Sequence, residues 1–276
     1  MDRLDSFNRT GFLSREVGRE VSAIRERSAA WFVFTEDLNA ALVELAHKGV
    51  LKAKTSSMAP QAVAMRLLLR ASGALQGTIL LTERGMVAEG RTLVRSLLED
   101  AFCVAALATN PDQFLKMLRE DSDAARHRQR KFLVAEGLVS SMEDREKLQA
   151  LIADAGKAGI MNPKDVAKLG PIGRQYLAYQ RLSDGAAHPS AKSLDRHVQR
   201  VDTGGGRGWS YRWGPGDVAE NDATLHHAGL AALPVAIGVL QILVPTPEER
   251  EGFFEVGARL SALCGRFGSM PEVEGI

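Results

Sequence analysis

Apolar residues recur at steps of three, four and seven through most of this chain, the spacing of a single buried helical face. Val17, Val21, Ile24, Trp31, Phe34, Leu38, Leu42 and Leu45 predict one long helix over residues 15–50. A polar stretch, residues 52–58, interrupts the pattern, and Pro60 stands where a first helical residue is expected. The run 61–82 is strongly apolar, Glu83-Arg84-Gly85 marks its boundary, and a further helix carries residues 87–108. Asn110-Pro111-Asp112 has the form of an N-cap followed by proline and opens a charged helix to about residue 136. Ser141 with Asp144, Asn162-Pro163, Gly170-Pro171 and Thr246-Pro247 repeat such start signals, the last leading to about residue 267.

The period changes once. Gly204, Gly205 and Gly206 precede Trp209, Tyr211 and Trp213, whose alternation predicts a short β-hairpin or an irregular loop within 199–216. No Gly-Lys-Ser/Thr follows the glycines, so they are not a phosphate loop. Arg207, Trp209, Tyr211, Arg212 and Trp213 read as aromatics capping a helical core, with a base-stacking platform as the alternative. The expected architecture is all-α. It is a single multi-helix bundle of about seven to nine helices, with residues 1–14 peripheral and a hairpin or irregular excursion near 199–213. No repeat or low-complexity linker divides it, so residues 1–276 are expected to form one helical domain.

Composition adds limits. An apolar content of 45% over 276 residues can build a sizeable core. The 35 basic and 34 acidic residues nearly cancel, so nucleic acid would have to be held by a local patch. Cys103 and Cys264 have no ligand or disulfide spacing, and the first residues lack an apolar signal region; a cytoplasmic setting is the expectation. Residues 228–244 carry no charge, but they are short for a bilayer and contain Pro234 and Gln241. We read them as a core helix and expect no membrane partner.

Two segments concentrate chemistry. Residues 179–188, ending before Pro189, bring together Tyr179, Arg181, Asp184 and His188. On a helix Arg181, Asp184 and His188 share a stripe, and His188 at the C-terminal end would be held charged by the helix dipole and by Asp184. A histidine that only bonds the last carbonyls of its helix is the plainer alternative. Arg91, Arg95 and Glu99 lie four apart on one face of an otherwise apolar helix. Buried charges need partners, and Tyr179, Asp184 and His188 would supply them. The two segments are therefore expected to face each other and share a polar pocket, with Glu99 near Arg181 or His188. An internal salt bridge with no further role is the equal alternative.

The Arg95-Ser-Leu-Leu-Glu99 helix, followed after about eighty residues by Tyr179-x-x-Leu-Ser-x-x-x-x-His188, resembles a bacterial all-helical family of uncharacterised proteins over roughly residues 30–265. The Arg181-x₆-His188 spacing also resembles the Arg-x₄₋₆-His signature of HEPN domains. That resemblance implies a homodimeric, metal-independent endoribonuclease in which Arg181 stabilises the phosphate and His188 moves a proton at the ribose 2′-hydroxyl. Two functional expectations follow. One is a binding or regulatory module, such as a defence-system component, with Arg95, Glu99 and Tyr179 around a small ligand. The other is the ribonuclease, with Arg181, His188 and Asp184 as catalytic residues and RNA as partner. No cofactor is expected. His226 and His227, adjacent, point about 100° apart on a helix and suit no shared metal. The basic run 126–131 follows Glu120, Asp121 and Asp123 and reads as a solvated helix face.

Overall fold

The computed structural model describes residues 9–154, 159–187, 189–202, 207–211 and 214–270. Where one long helix was expected there are two, α1 (Val17–Arg27) and α2 (Ala29–Gly49). They part at Ser28, whose φ of −111° and ψ of 26° leave the helical region. The Ser28 amide closes α1 on the Ile24 carbonyl, and its own carbonyl accepts from Trp31 and Phe32 to start α2. Hydrophobic periodicity continues through the break because Ile24 and Trp31 are buried on either side of it.

Helices α3 (Pro60–Thr82) and α4 (Val87–Thr109) are joined by a turn at Gly85. Its φ of +74° is a left-handed conformation that glycine adopts without penalty. Its carbonyl accepts from the Gly216 amide, and a Cβ would stand 2.4 Å from Pro215. Then come α5 (Pro111–Ala135), α6 (Met142–Ala153), α7 (Pro163–Leu169) and α8 (Tyr176–Leu182). Ser141 and Asn162 cap α6 and α7 through the side-chain bonds their sequence positions suggested. A π-helical turn, Ser183–Ala187, leads to the short α9 (Ala191–Asp195).

Strands β1 (Val198–Asp202) and β2 (Arg207–Tyr211) form an antiparallel hairpin with Arg200 opposite Trp209. Trp209 and Tyr211 are exposed, and the Arg200 guanidinium lies 5.2 Å from the Trp209 ring centroid. These aromatics therefore do not cap the core as expected. Arg212 and Trp213 lie outside the described residues. The fold is all-α with one short hairpin.

The remaining helices are α10 (Val218–Leu243), α11 (Pro247–Arg250) and α12 (Phe254–Ser269). At the centre α10 packs on α4, α3 and α2. Ala228, Ala231, Ala232, Val235, Ala236 and Val239 are fully buried there. The expected core positions are only partly right: Leu233 and Leu243 are buried, whereas Leu230, Ile237 and Leu240 are partly exposed. The small residues form the contact face because the helices approach closely; a Cβ on Gly238 would lie 2.6 Å from Val104 Cγ1. By length and composition α10 could cross a membrane, and 72% of its apolar window is buried by its neighbours. Trp31, Phe34, His226 and Phe267 form a ring cluster that seats α12 on α2 and α10.

Candidate functional site

Arg91, Arg95 and Glu99 lie four residues apart on α4, so they succeed one another along one face, and α8 lies against that face. Arg95 donates from Nη2 to the Tyr179 hydroxyl at 2.7 Å and from Nε to Ser183 Oγ at 2.8 Å. Tyr179 donates in turn to Glu99 Oε1 at 2.9 Å, and Ser183 to the Tyr179 carbonyl at 2.9 Å. Arg95 and Glu99 are also 3.3 Å apart, and the guanidinium sits 4.8 Å from the Tyr179 ring centroid. Burial and the Glu99 carboxylate both raise the Tyr179 pKa, so the phenol keeps the proton it donates. The partners of Glu99 are thus Tyr179 and Arg95, not Arg181.

At Ser183 the winding changes from α to π. The α-helical spacing on which Arg181, Asp184 and His188 were placed in one stripe therefore ends at Leu182. Asp184 is exposed, and its carbonyl takes the Ser190 hydroxyl. His188 lies outside the described residues. Arg181 instead lines a cavity of about 420 Å³ together with Arg91, Lys192 and His227. No aspartate or glutamate lines it among the described residues.

Each cation arrives from a different element: Arg91 from α4, Arg181 from α8 and Lys192 from α9. Arg91 donates from Nε to Thr224 Oγ1 at 3.2 Å, which fixes its fork. Burial lowers the Arg91 pKa, Glu220 and Asp217 pull it back up, and Arg196 adds repulsion. His227 Nδ1 lies 2.6 Å from the Ala223 carbonyl. A carbonyl only accepts, so Nδ1 carries the hydrogen and Nε2 keeps its lone pair. Burial, with smaller effects from His226, Arg91 and Arg181, pushes the ring down to about 4, and it is neutral at pH 7.

The arrangement is a cationic recess with one neutral acceptor, next to the Arg95–Tyr179–Glu99–Ser183 hydrogen-bond network. Sequence assigns no role to Lys192, and Ser183 enters only as the serine of the Tyr-x-x-Leu-Ser motif. Ser183 stands one turn after Tyr179, a spacing that hinted at it, whereas Lys192 lies beyond Pro189 where helical periodicity is lost. His227 was weighed only as a metal ligand. Among the described residues no three His, Cys, Asp or Glu side chains are placed to hold a metal ion.

A protein family of unknown function, DUF5677, matches residues 61–206, more than half of the chain. The matched region contains Arg91, Arg95, Glu99, Tyr179, Arg181 and Lys192; His227 lies beyond it. No curated protein and no solved structure matches the chain.

Proposed function

The chain belongs to the DUF5677 family, and we propose that it is a non-catalytic helical binding protein whose cationic recess holds a small phosphate-bearing anion. One observation carries this reading: Arg91, Arg181 and Lys192 border a cavity of about 420 Å³ that no acidic side chain lines among the described residues. That volume lies within the roughly 300–1,000 Å³ of small-molecule sites. Two guanidinium forks suit the paired oxygens of a phosphate, and a lysine adds a compact third charge. Nε2 of His227 is an acceptor for a ligand hydroxyl or a protonated phosphate oxygen. The Arg95–Tyr179–Glu99 network binds α8 to α4 and so holds Arg181 across from Arg91.

Calorimetric titration with inorganic pyrophosphate tests the reading. One saturable site is expected, and Arg91→Ala or Lys192→Ala should weaken it by about tenfold or more, equivalent to about 1.4 kcal/mol each. Absence of saturable binding, or binding indifferent to both substitutions, overturns it.

Arg181 in this recess also favours a second reading, the HEPN-like endoribonuclease. There Arg181 would hold the scissile phosphate of RNA while His188 takes the 2′-hydroxyl proton. The 2′-oxygen attacks phosphorus and the 5′-oxygen leaves with a proton, giving a cyclic phosphate and a 5′-hydroxyl end. Single-stranded RNA cleaved in excess chelator by the wild type but not by His188→Ala would support this reading. Intact RNA would leave the binding reading alone.

A further inference from the structure

On another face of the molecule, a cleft of about 590 Å³ opens between the start of α3 and the middle of α5. Its floor is apolar: Val63 is buried, and Met58, Leu67 and Leu118 are half-buried. Its rim carries four arginines, Arg66 and Arg70 from α3 and Arg119 and Arg126 from α5, against one acid, Asp123. Arg70 is engaged by buried Asp100 and by Ser96, and Arg126 by Ser122 with Asp123 at 3.7 Å. Among the described residues Arg66 donates only to the carbonyls of Ala62 and Ser57, which carry no charge to balance its own. Neither Arg66 nor Arg119 has a carboxylate within ion-pair distance among the described residues.

We propose that this cleft is a second ligand site, taking the hydrocarbon chain of a long-chain carboxylate on its apolar floor and the carboxylate at its arginine rim. The two halves of the cleft ask for the two halves of such an amphiphile. A bare inorganic anion would leave the floor wetted, and a neutral lipid would leave Arg66 and Arg119 unanswered. No aromatic ring lines the cleft among the described residues, so nothing there would stack a nucleobase. The site shares no lining residue with the recess around Arg91, so each can fail without the other.

Titration of the full chain with sodium dodecanoate, below its micelle-forming concentration, tests the proposal. One saturable site is expected, and decanoate, two methylenes shorter, should bind more weakly by about fifteenfold, given about fourfold per buried methylene. Dodecyltrimethylammonium, with the same tail and the opposite charge, should not bind. Arg66→Glu with Arg119→Glu should weaken dodecanoate by about tenfold or more while thermal unfolding stays unchanged, because both side chains are exposed. Arg91→Ala should leave it unchanged. The proposal is overturned by no saturable dodecanoate binding, by equal binding of the cationic surfactant, or by an unaffected Arg66→Glu/Arg119→Glu variant. Binding of an acidic amphipathic peptide without dodecanoate binding overturns it equally.

Discussion

The Tyr179 hydroxyl stands between Arg95 and Glu99, accepting from the guanidinium at 2.7 Å and donating to the carboxylate at 2.9 Å. This one oxygen joins helices whose sequences are about eighty residues apart. Tyr179→Phe removes both bonds without changing shape. It should lower unfolding stability by about 1–3 kcal/mol, since each bond here involves a charged group. In a double-mutant cycle with Glu99→Gln the losses should fall short of additivity. Additive losses in urea unfolding would mean the three groups do not act as a unit.

Close approach at the centre makes a second prediction. Gly238→Val places branched carbon where Val104 already stands 2.6 Å from a Cβ position, and should cost about 1–3 kcal/mol through overpacking. Leu98→Ala, at a fully enclosed position, should cost about 2–5 kcal/mol through a cavity. Leu240→Ala should cost less than Leu98→Ala, because Leu240 lies at the partly exposed edge of α10. Denaturant midpoints of the three variants rank them.

Two buried groups give stability opposite dependences on pH. Asp100 is fully buried, with Oδ1 on Arg70 and Oδ2 without a partner, and burial pushes it up to about 6. The folded chain binds that proton before the unfolded chain does. Asp100 therefore costs stability as pH rises from about 4 to about 6, about 3 kcal/mol in all. His227 is pushed down to about 4 from 6.5, so the unfolded chain binds its proton first. Its contribution is complete above about 6.5 and is lost as pH falls towards 4, again about 3 kcal/mol. Relative to wild type, Asp100→Asn should lose stability more steeply on acidification and His227→Gln less steeply. Parallel profiles for both variants between pH 4 and 7 would contradict these assignments.

The helical architecture was legible because apolar spacing and N-cap signals are local. Pro60, Ser141, Asn162 and Thr246 all start or cap helices where the sequence placed them. The break at Ser28 was not legible, since nothing in residues 15–50 interrupts the apolar period. The leucines of α10 misled for a related reason. Side-chain size marks a helix as apolar, but close packing against Val104 selects its glycine and alanine face. At the site, the shared face of Arg91, Arg95 and Glu99 follows from spacing alone. The π turn after Leu182 does not. Lys192 and His227 join Arg91 only through tertiary packing of α9 and α10, for which no local pattern exists.

The central claim is that an anion enters the recess between Arg91, Arg181, Lys192 and His227. Histidine ¹⁵N NMR reads that location directly, because a bound anion stabilises the imidazolium and must raise the pKa of a ring beside it. With pyrophosphate at saturation, His227 should titrate at least one unit above its ligand-free value of about 4. Its Nε2 resonance should shift with a saturable dependence on pyrophosphate that Arg91→Ala abolishes. A His227 titration that stays at about 4 in saturating pyrophosphate would contradict the account, whatever binding is measured elsewhere on the protein.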